Sequence, residues 1–378
     1  MTEHRIRFAV VLALCLLLGI AWSAQELPAR LSDEAFWRVV TDFSEPGGRF
    51  VSDNFVSNEL ATQYVLSDLT QDRKASGAYL GVGPEQNFTY IVALKPKIAF
   101  IIDIRRQNMI EHLMYKALIE LSADRAEFLS RLFSRPLRAD AGKDSSVAEL
   151  FDAILGIEGD PELFEHNLEA IKDRLIKDHG FQLTTEDERN LEYVFRAFYI
   201  GGRNLGYPGP NQTIRRGAVR ILPTYEELMT DTDEQGQQRS YLATEENFAT
   251  LQQLEKNNLI VPLVGDFAGP KAIRSVGGYL MEHNTTVTAF YTSNVEQYLF
   301  MSADDWKSFY TNVSVLPLDS KSVFIRPLIN NGNGGYTASP QFRIGFRWDT
   351  LLFSIRDLVS AFDTGMIQSY YDVIQMRN

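Results

Sequence analysis

The chain has 378 residues, 45% hydrophobic and 12% aromatic, which is enough apolar material to bury one large core or two smaller ones and sets disorder aside. A formal charge of −12 and a sequence pI near 5.0 argue against a broad phosphate-neutralising surface, so nucleic acid is not the expected partner. The one cysteine, Cys15, stands in the N-terminal apolar run, so a chain cleaved after that run has no disulfide, thiolate metal site or cysteine nucleophile.

Arg5 and Arg7 precede an unbroken apolar run from Phe8 to Leu18, which continues past Gly19 to Trp22 and closes on Ser23-Ala24. The run is short for a membrane span, and Ala21-Trp22-Ser23 places small residues where a signal peptidase needs them. Residues 1–24 therefore read as a signal peptide. The expectation is export to the periplasm or the cell exterior with no stable span after cleavage, and a cytoplasmic location only if the start site is misassigned.

Residues 25–76 read as a helical lead-in. Ser32-Asp33-Glu34 caps a helix that puts Phe36, Trp37, Val40 and Phe43 on one face and ends at Pro46-Gly47-Gly48. A second helix is predicted to start near Ser57, with Leu60, Tyr64, Val65 and Leu69 at three- and four-residue spacing.

From Gly77 to Glu120 the order is strand, glycine turn, helix, strand, acid. Ala78-Tyr79-Leu80 leads into Gly81-Val82-Gly83, and a second apolar run, Ile98 to Ile102, stops at Asp103. In a βαβ unit glycines at such a turn let the backbone approach a ligand, and an acid at the tip of the second strand accepts hydrogen bonds from a ribose. A helix over Asn108 to Leu121 follows. Residues 122–258 change character, with alternating charge, helical periodicity and caps such as Thr185-Glu186-Asp187-Glu188, and read as a large, mainly helical insertion.

The strand pattern resumes at Leu259 to Val264 and closes on Gly265-Asp266. A helix over Lys271 to Glu282, a strand over Val287 to Tyr291, a helix over Asp304 to Asn312 and a strand over Ser322 to Ile325 come next. Alternating strands and helices predict a doubly wound, mostly parallel α/β sheet built from residues 77–121 and 259–348. A closing strand over Phe342 to Trp348 and helices from Leu351, within residues 349–378, complete the expected fold.

In such a sheet ligands collect at the carboxyl ends of the strands, so Gly81 to Gln86, Asp103, Asp266 and Ser293-Asn294 are expected to face one crevice. Glu85 and Glu296 are acids that could work there as a base or hold an amine. The five histidines form no spaced ligand pair, so no metal is expected, and neither a Gly-x-Ser-x-Gly elbow nor a phosphate loop is present.

This order of glycine turn, acid, Gly-Asp and polar strand end resembles the S-adenosylmethionine-dependent methyltransferase fold. The resemblance implies that Gly81 and Gly83 approach the methionine part, that Asp103 binds the ribose, and that Asp266 reaches the adenine, with Glu85 and Gln86 also among the cofactor-binding residues. It also implies that Asn294, with Tyr291 and Glu296, lies on the side of the methyl acceptor. The turn departs from the pattern, because Pro84 follows Gly83 and a third glycine is absent, and Asn294-Val295-Glu296 stands where Asp/Asn-Pro-Pro-Tyr/Phe is usual. The segments GVGPEQNFTYI, DIRRQN, VGDFAGPKA and FYTSNVEQYL also resemble an uncharacterised bacterial protein family, which implies no reaction. Two functions follow as expectations: a methyltransferase-like protein binding S-adenosylmethionine or a related nucleoside, or a non-catalytic exported protein binding another small molecule.

Overall fold

The computed structural model describes residues 26–71, 77–138, 141–209, 222–329 and 348–376, so the expected leader lies outside the described residues. At the centre is a six-stranded sheet in the order β3-β2-β1-β4-β5-β6. Its strands are β1 (Ala78–Gly81), β2 (Ile98–Asp103), β3 (Ile260–Val264), β4 (Val287–Tyr291), β5 (Leu318–Ile329) and β6 (Trp348–Ser354). All neighbours pair in parallel except β5 and β6, which are antiparallel. The mixed α/β class and the mostly parallel sheet agree with the expectation.

Burial explains the runs. Every residue of β1, β2 and β3 is buried, which is why they read as continuous apolar segments without alternation. Pro262 is tolerated inside β3 because β3 is an edge strand with β2 as its sheet neighbour. The helix Asp33–Phe43, capped by Ser32 Oγ on Ala35 N, turns Phe36, Val39 and Val40 inward and contacts β3 and the helix Ala272–Glu282. The helix Arg106–Leu121 packs on β2 and β3 and is buried along most of its length, because the helices Thr185–Gly201 and Glu245–Lys256 also lie against it.

Between β2 and β3 the described elements are helices, apart from one isolated bridge, Gly206 to Thr224. Two ion pairs tie the helices of this segment to one another. Arg106 makes a bidentate pair with Asp187, through Nε at 2.6 Å and Nη2 at 2.8 Å, while Asp187 also closes a capping box with Thr184. Arg125 pairs with Glu245 at 2.7 Å and donates to the carbonyls of Leu242, Ala243, Lys143 and Ser145.

Two expected elements differ. The helix predicted from Ser57 begins only at Leu66, since residues 54–61 form an irregular strap with left-handed residues at Asn54 and Ala61. Its polar side chains satisfy its backbone instead, Ser57 Oγ accepting from Glu59 N at 3.1 Å, and this competes with helix. The helix predicted from Leu351 begins at Ile355, because Leu351 and Leu352 pair with Arg326 and Ile325 in the antiparallel ladder and Ser354 caps the helix that follows. The strand expected over Phe342 to Trp348 lies outside the described residues except at Trp348.

Candidate functional site

The strand order reverses at β1, with β2 and β3 on one side and β4 and β5 on the other. A cavity of about 220 Å³ opens there, at the carboxyl ends of the strands. It brings together Gly83 and Gln86 after β1, Asp103 at the end of β2, Asp266 after β3, and Tyr291 and Asn294 at the end of β4. Gly81, Glu85 and Glu296 are not among the residues lining it.

The glycine turn is held from behind. Asn87 Nδ2 donates to the carbonyls of Val82, Gly83 and Pro84 at 3.0, 3.2 and 2.7 Å, and its Oδ1 accepts from Tyr79 Oη at 2.8 Å. A side chain at position 81 would overlap Asn87 Oδ1 and the Tyr79 ring, so Gly81 serves this packing. Gly83 differs: it has φ +79°, and a Cβ there would meet nothing within 4 Å. His112 Nε2 lies 2.9 Å from the Gly83 carbonyl, and burial pushes the imidazole down to about 4, so it is neutral and donates.

Asp103 is engaged. Its Oδ1 accepts from Arg105 N at 2.8 Å and Arg105 Nε at 3.0 Å, while Oδ2 accepts from Arg105 Nη2 at 2.9 Å. Arg105 is also bonded to the Asp53 carbonyl, so its charge is committed to the protein. Asp266 Oδ1 accepts from Ala268 N at 2.9 Å, shaping the loop after β3.

Glu296 is withdrawn into the core. Its carboxylate makes a two-point pair with Arg326, accepts from Tyr310 Oη at 2.6 Å and from Thr292 Oγ1 at 3.3 Å, and both members of the pair are almost wholly buried. Glu85 is buried behind the turn, where Oε1 accepts from Ser57 N at 3.2 Å and Oε2 has no partner among the described residues. Burial pushes its carboxyl up to about 8 against the backbone donors, and the charge of Glu59 adds to the rise.

The strap over residues 44–59 supplies what sequence reasoning missed. It is laced across the sheet's end: Gly48 N donates to Ile104 O at 2.7 Å, and Glu45 N to Val264 O at 2.8 Å. The Glu45 carboxylate accepts from Asp266, Lys271 and Ala272 N at 3.2, 2.7 and 2.8 Å, at the favourable end of the helix Ala272–Glu282. This places Phe50, Asn54, Ser57, Asn58 and Glu59 against the cavity. The sequence signal was the pair Phe55-Val56 beside Ser57-Asn58-Glu59, which breaks helical periodicity.

Glu59 is buried at the cavity floor, and its two oxygens accept from Tyr291 Oη and Ser293 Oγ. Burial pushes it up to about 7, although both hydroxyls favour the ionised form. Also lining the cavity, the Phe50 and Tyr298 rings meet edge to face, 5.2 Å between centroids and 81° between planes. Among the described residues that line it, the charged groups are Glu59, Asp103, Asp266 and Asp305, with Arg105 as the cation. No cluster of three or more His, Cys, Asp or Glu side chains suited to a metal occurs among the described residues, and no described helix is long and apolar enough to cross a membrane.

Residues 54–143 and 163–352 match the family model described as a domain of unknown function, DUF7790, and the chain belongs to that family. The matched segments contain every cavity-lining residue except Phe50. No curated protein matches the chain.

Proposed function

Because membership of DUF7790 carries no reaction with it, we propose from the site's own chemistry that this is a methyltransferase-like protein whose switch-point cavity binds S-adenosylmethionine or a related nucleoside. The observation that carries this reading is the convergence of Gly83, Gln86, Asp103, Asp266, Tyr291 and Asn294, from four strand ends, on one cavity where the strand order reverses. An antiparallel β6 beside the parallel strands is in keeping with a methyltransferase-type sheet.

Charge discriminates among nucleoside ligands. Four carboxyl groups and one committed guanidinium repel a pyrophosphate, which weighs against dinucleotides and favours a neutral or cationic ligand. Size does the same. The volume of about 220 Å³ is below the roughly 300 Å³ at which sites for drug-sized molecules begin, so a nucleoside portion is enclosed and the remainder extends through the mouth.

Asp103 would hold the ribose with what its pairing leaves over. Oδ1 already accepts twice and Oδ2 once, so one lone-pair direction on Oδ2 remains for a single hydroxyl. Phe50 and Tyr298 provide an aromatic wall for a base or a cation. Bound there, S-adenosylmethionine would supply a methyl group activated by its sulfonium. The chain's contribution is position: Tyr291 at the end of β4 and Asn294 just after it line the acceptor side, and Glu296, paired with Arg326, accepts from Thr292 in the turn between them. The apolar leader favours a second reading, an exported protein that binds its ligand without transfer.

Calorimetry and thermal-shift titration of the purified chain with S-adenosylmethionine and S-adenosylhomocysteine test the binding step. Tyr298→Ala, at an exposed wall position, should weaken binding about 3- to 10-fold if the ring contributes a typical aromatic contact. The absence of both heat and a shift in melting temperature with either ligand removes the nucleoside reading. Binding without methylation of any offered acceptor favours the second one.

A further inference from the structure

The hydrogen bonds on the cavity floor run in one direction. Gln86 Nε2 donates to Tyr291 Oη, Tyr291 donates to Glu59 Oε2, and Ser293 donates to Glu59 Oε1. Both carboxyl oxygens accept, which is the pattern of the ionised acid. The opposite polarity is also available. A protonated Glu59 donates to Tyr291, whose own proton then turns toward Gln86, and the amide must present Oε1. That oxygen is buried and has no partner among the described residues, so a half-turn of the Gln86 amide exchanges the two arrangements.

The groups facing Glu59 supply no positive charge. They are Glu85 behind the glycine turn, Tyr79 on β1, Tyr90 on the helix Gln86–Leu94, Tyr207 from the loop after the helix Thr185–Gly201, and Tyr291 on β4. Around the rest of the cavity Asp266 and Asp305 are acids, and Arg105 is taken up by Asp103. Burial holds the Glu59 carboxyl at about 7 against the pull of its two hydroxyl donors, so it exchanges its proton near neutral pH. An acid on the floor of a cavity with an aromatic wall and no free lining cation among the described residues is a place for a cation from solution.

We propose that Glu59 is the counter-charge for a cationic ligand group, a sulfonium or an ammonium, and that such a ligand enters as Glu59 releases its proton to solvent. The inference deepens the small-molecule reading of this cavity but does not require the ligand to be a nucleoside. The balance is simple: a cation and a neutral acid become an ion pair, and one proton passes to the buffer. Affinity then rises about tenfold per pH unit well below pH 7 and levels off above pH 8.

The test uses protein labelled with ¹³C at the glutamate carboxyl carbons, with the Glu59 signal identified by its absence in Glu59→Gln. The signal is titrated with pH at constant ionic strength, alone and with trimethylsulfonium, tetramethylammonium or neutral tert-butanol. The two cations should lower the Glu59 midpoint by half a pH unit or more, and tert-butanol should not. A midpoint that stays in place at high cation concentration, or that the alcohol moves equally, overturns the proposal. Calorimetry in phosphate and Tris at pH 7 provides the second arm: S-adenosylmethionine should bind with a buffer-dependent heat, and S-adenosylhomocysteine, which loses the sulfonium but keeps its α-ammonium, should share that heat only if the ammonium is the group held. Midpoint movement with the small cations but no nucleoside binding sinks the nucleoside reading alone. Nucleoside binding with buffer-independent heat sinks this one alone. If Glu59→Gln does not fold, the wild-type buffer comparison still decides.

Discussion

Removing Arg326 isolates the cost of an unpaired charge in this core. The guanidinium is fully buried over the rings of Phe324 and Phe353, with its carbon 4.2 and 4.9 Å from their centroids, and it makes two hydrogen bonds to Glu296. In Arg326→Met an apolar chain replaces the arginine's stem and no guanidinium is left against the rings, so the site stays filled with apolar atoms while Glu296 keeps Tyr310 and Thr292 as donors. Breaking one side of a buried pair costs about 3–5 kcal/mol. With an unfolding entropy of roughly 2.1 cal/mol/K per residue, or about 0.8 kcal/mol/K over the 378 residues, that is a fall of about 4–6 °C in a cooperative melt. Adding Glu296→Gln in the same chain removes the charge and should recover most of the loss, because the amide can still accept from Tyr310. Differential scanning calorimetry of the wild type, the single variant and the double variant reads all three. A single variant within about 1 kcal/mol of wild type, or a double variant no better than the single, would refute the reasoning.

Two further predictions concern pH. His179 bridges Asp33, at 2.8 Å through Nδ1, and Glu120, at 2.7 Å through Nε2; burial opposes its charge, but these partners outweigh it and raise its pKa, while Asp33 and Glu120 are lowered. Its stabilisation is therefore complete below the ordinary 6.5 of histidine and lost as pH rises through the higher folded value. The melting-temperature gap between wild type and His179→Gln should be largest near pH 5.5 and shrink above neutrality, and a pH-independent gap would contradict the bridge. Glu85 runs from an ordinary 4.5 to about 8 in the folded chain, so its contribution is full below 4.5 and lost as pH climbs to 8. Glu85→Gln should gain on wild type between pH 5 and 8.5 in urea unfolding, by at most about 1.4 kcal/mol per pH unit, and a flat difference would show that Glu85 does not stay neutral.

Periodicity made the sheet legible. Buried strands are short apolar runs closed by a glycine, an acid or, after Tyr291, the polar Thr292-Ser293-Asn294, so Ala78, Ile98, Leu259 and Val287 could be placed without tertiary information, and residues just after each run fell at the cavity. That local signal failed where pairing across the sheet decided the backbone. Leu351 to Ser354 carry helical spacing but complete a ladder with β5, and residues 54–61 carry apolar and polar groups that distant partners, Glu85, Tyr291 and Ser293 among them, hold in an irregular strap.

The same division runs through the site. By itself the sequence determined which residues stand at strand ends, because strand periodicity is a local property of the chain. Which of those groups are available was decided by the tertiary structure alone. Asp103 and Glu296 were both expected at the crevice, yet one pairs with Arg105 at the cavity and the other with Arg326 in the core, while Glu59, far away in sequence, lines the cavity instead. The physical reason is that a carboxylate's charge state and reach depend on desolvation and on partners brought from elsewhere in the chain, and neither is encoded in the residues beside it.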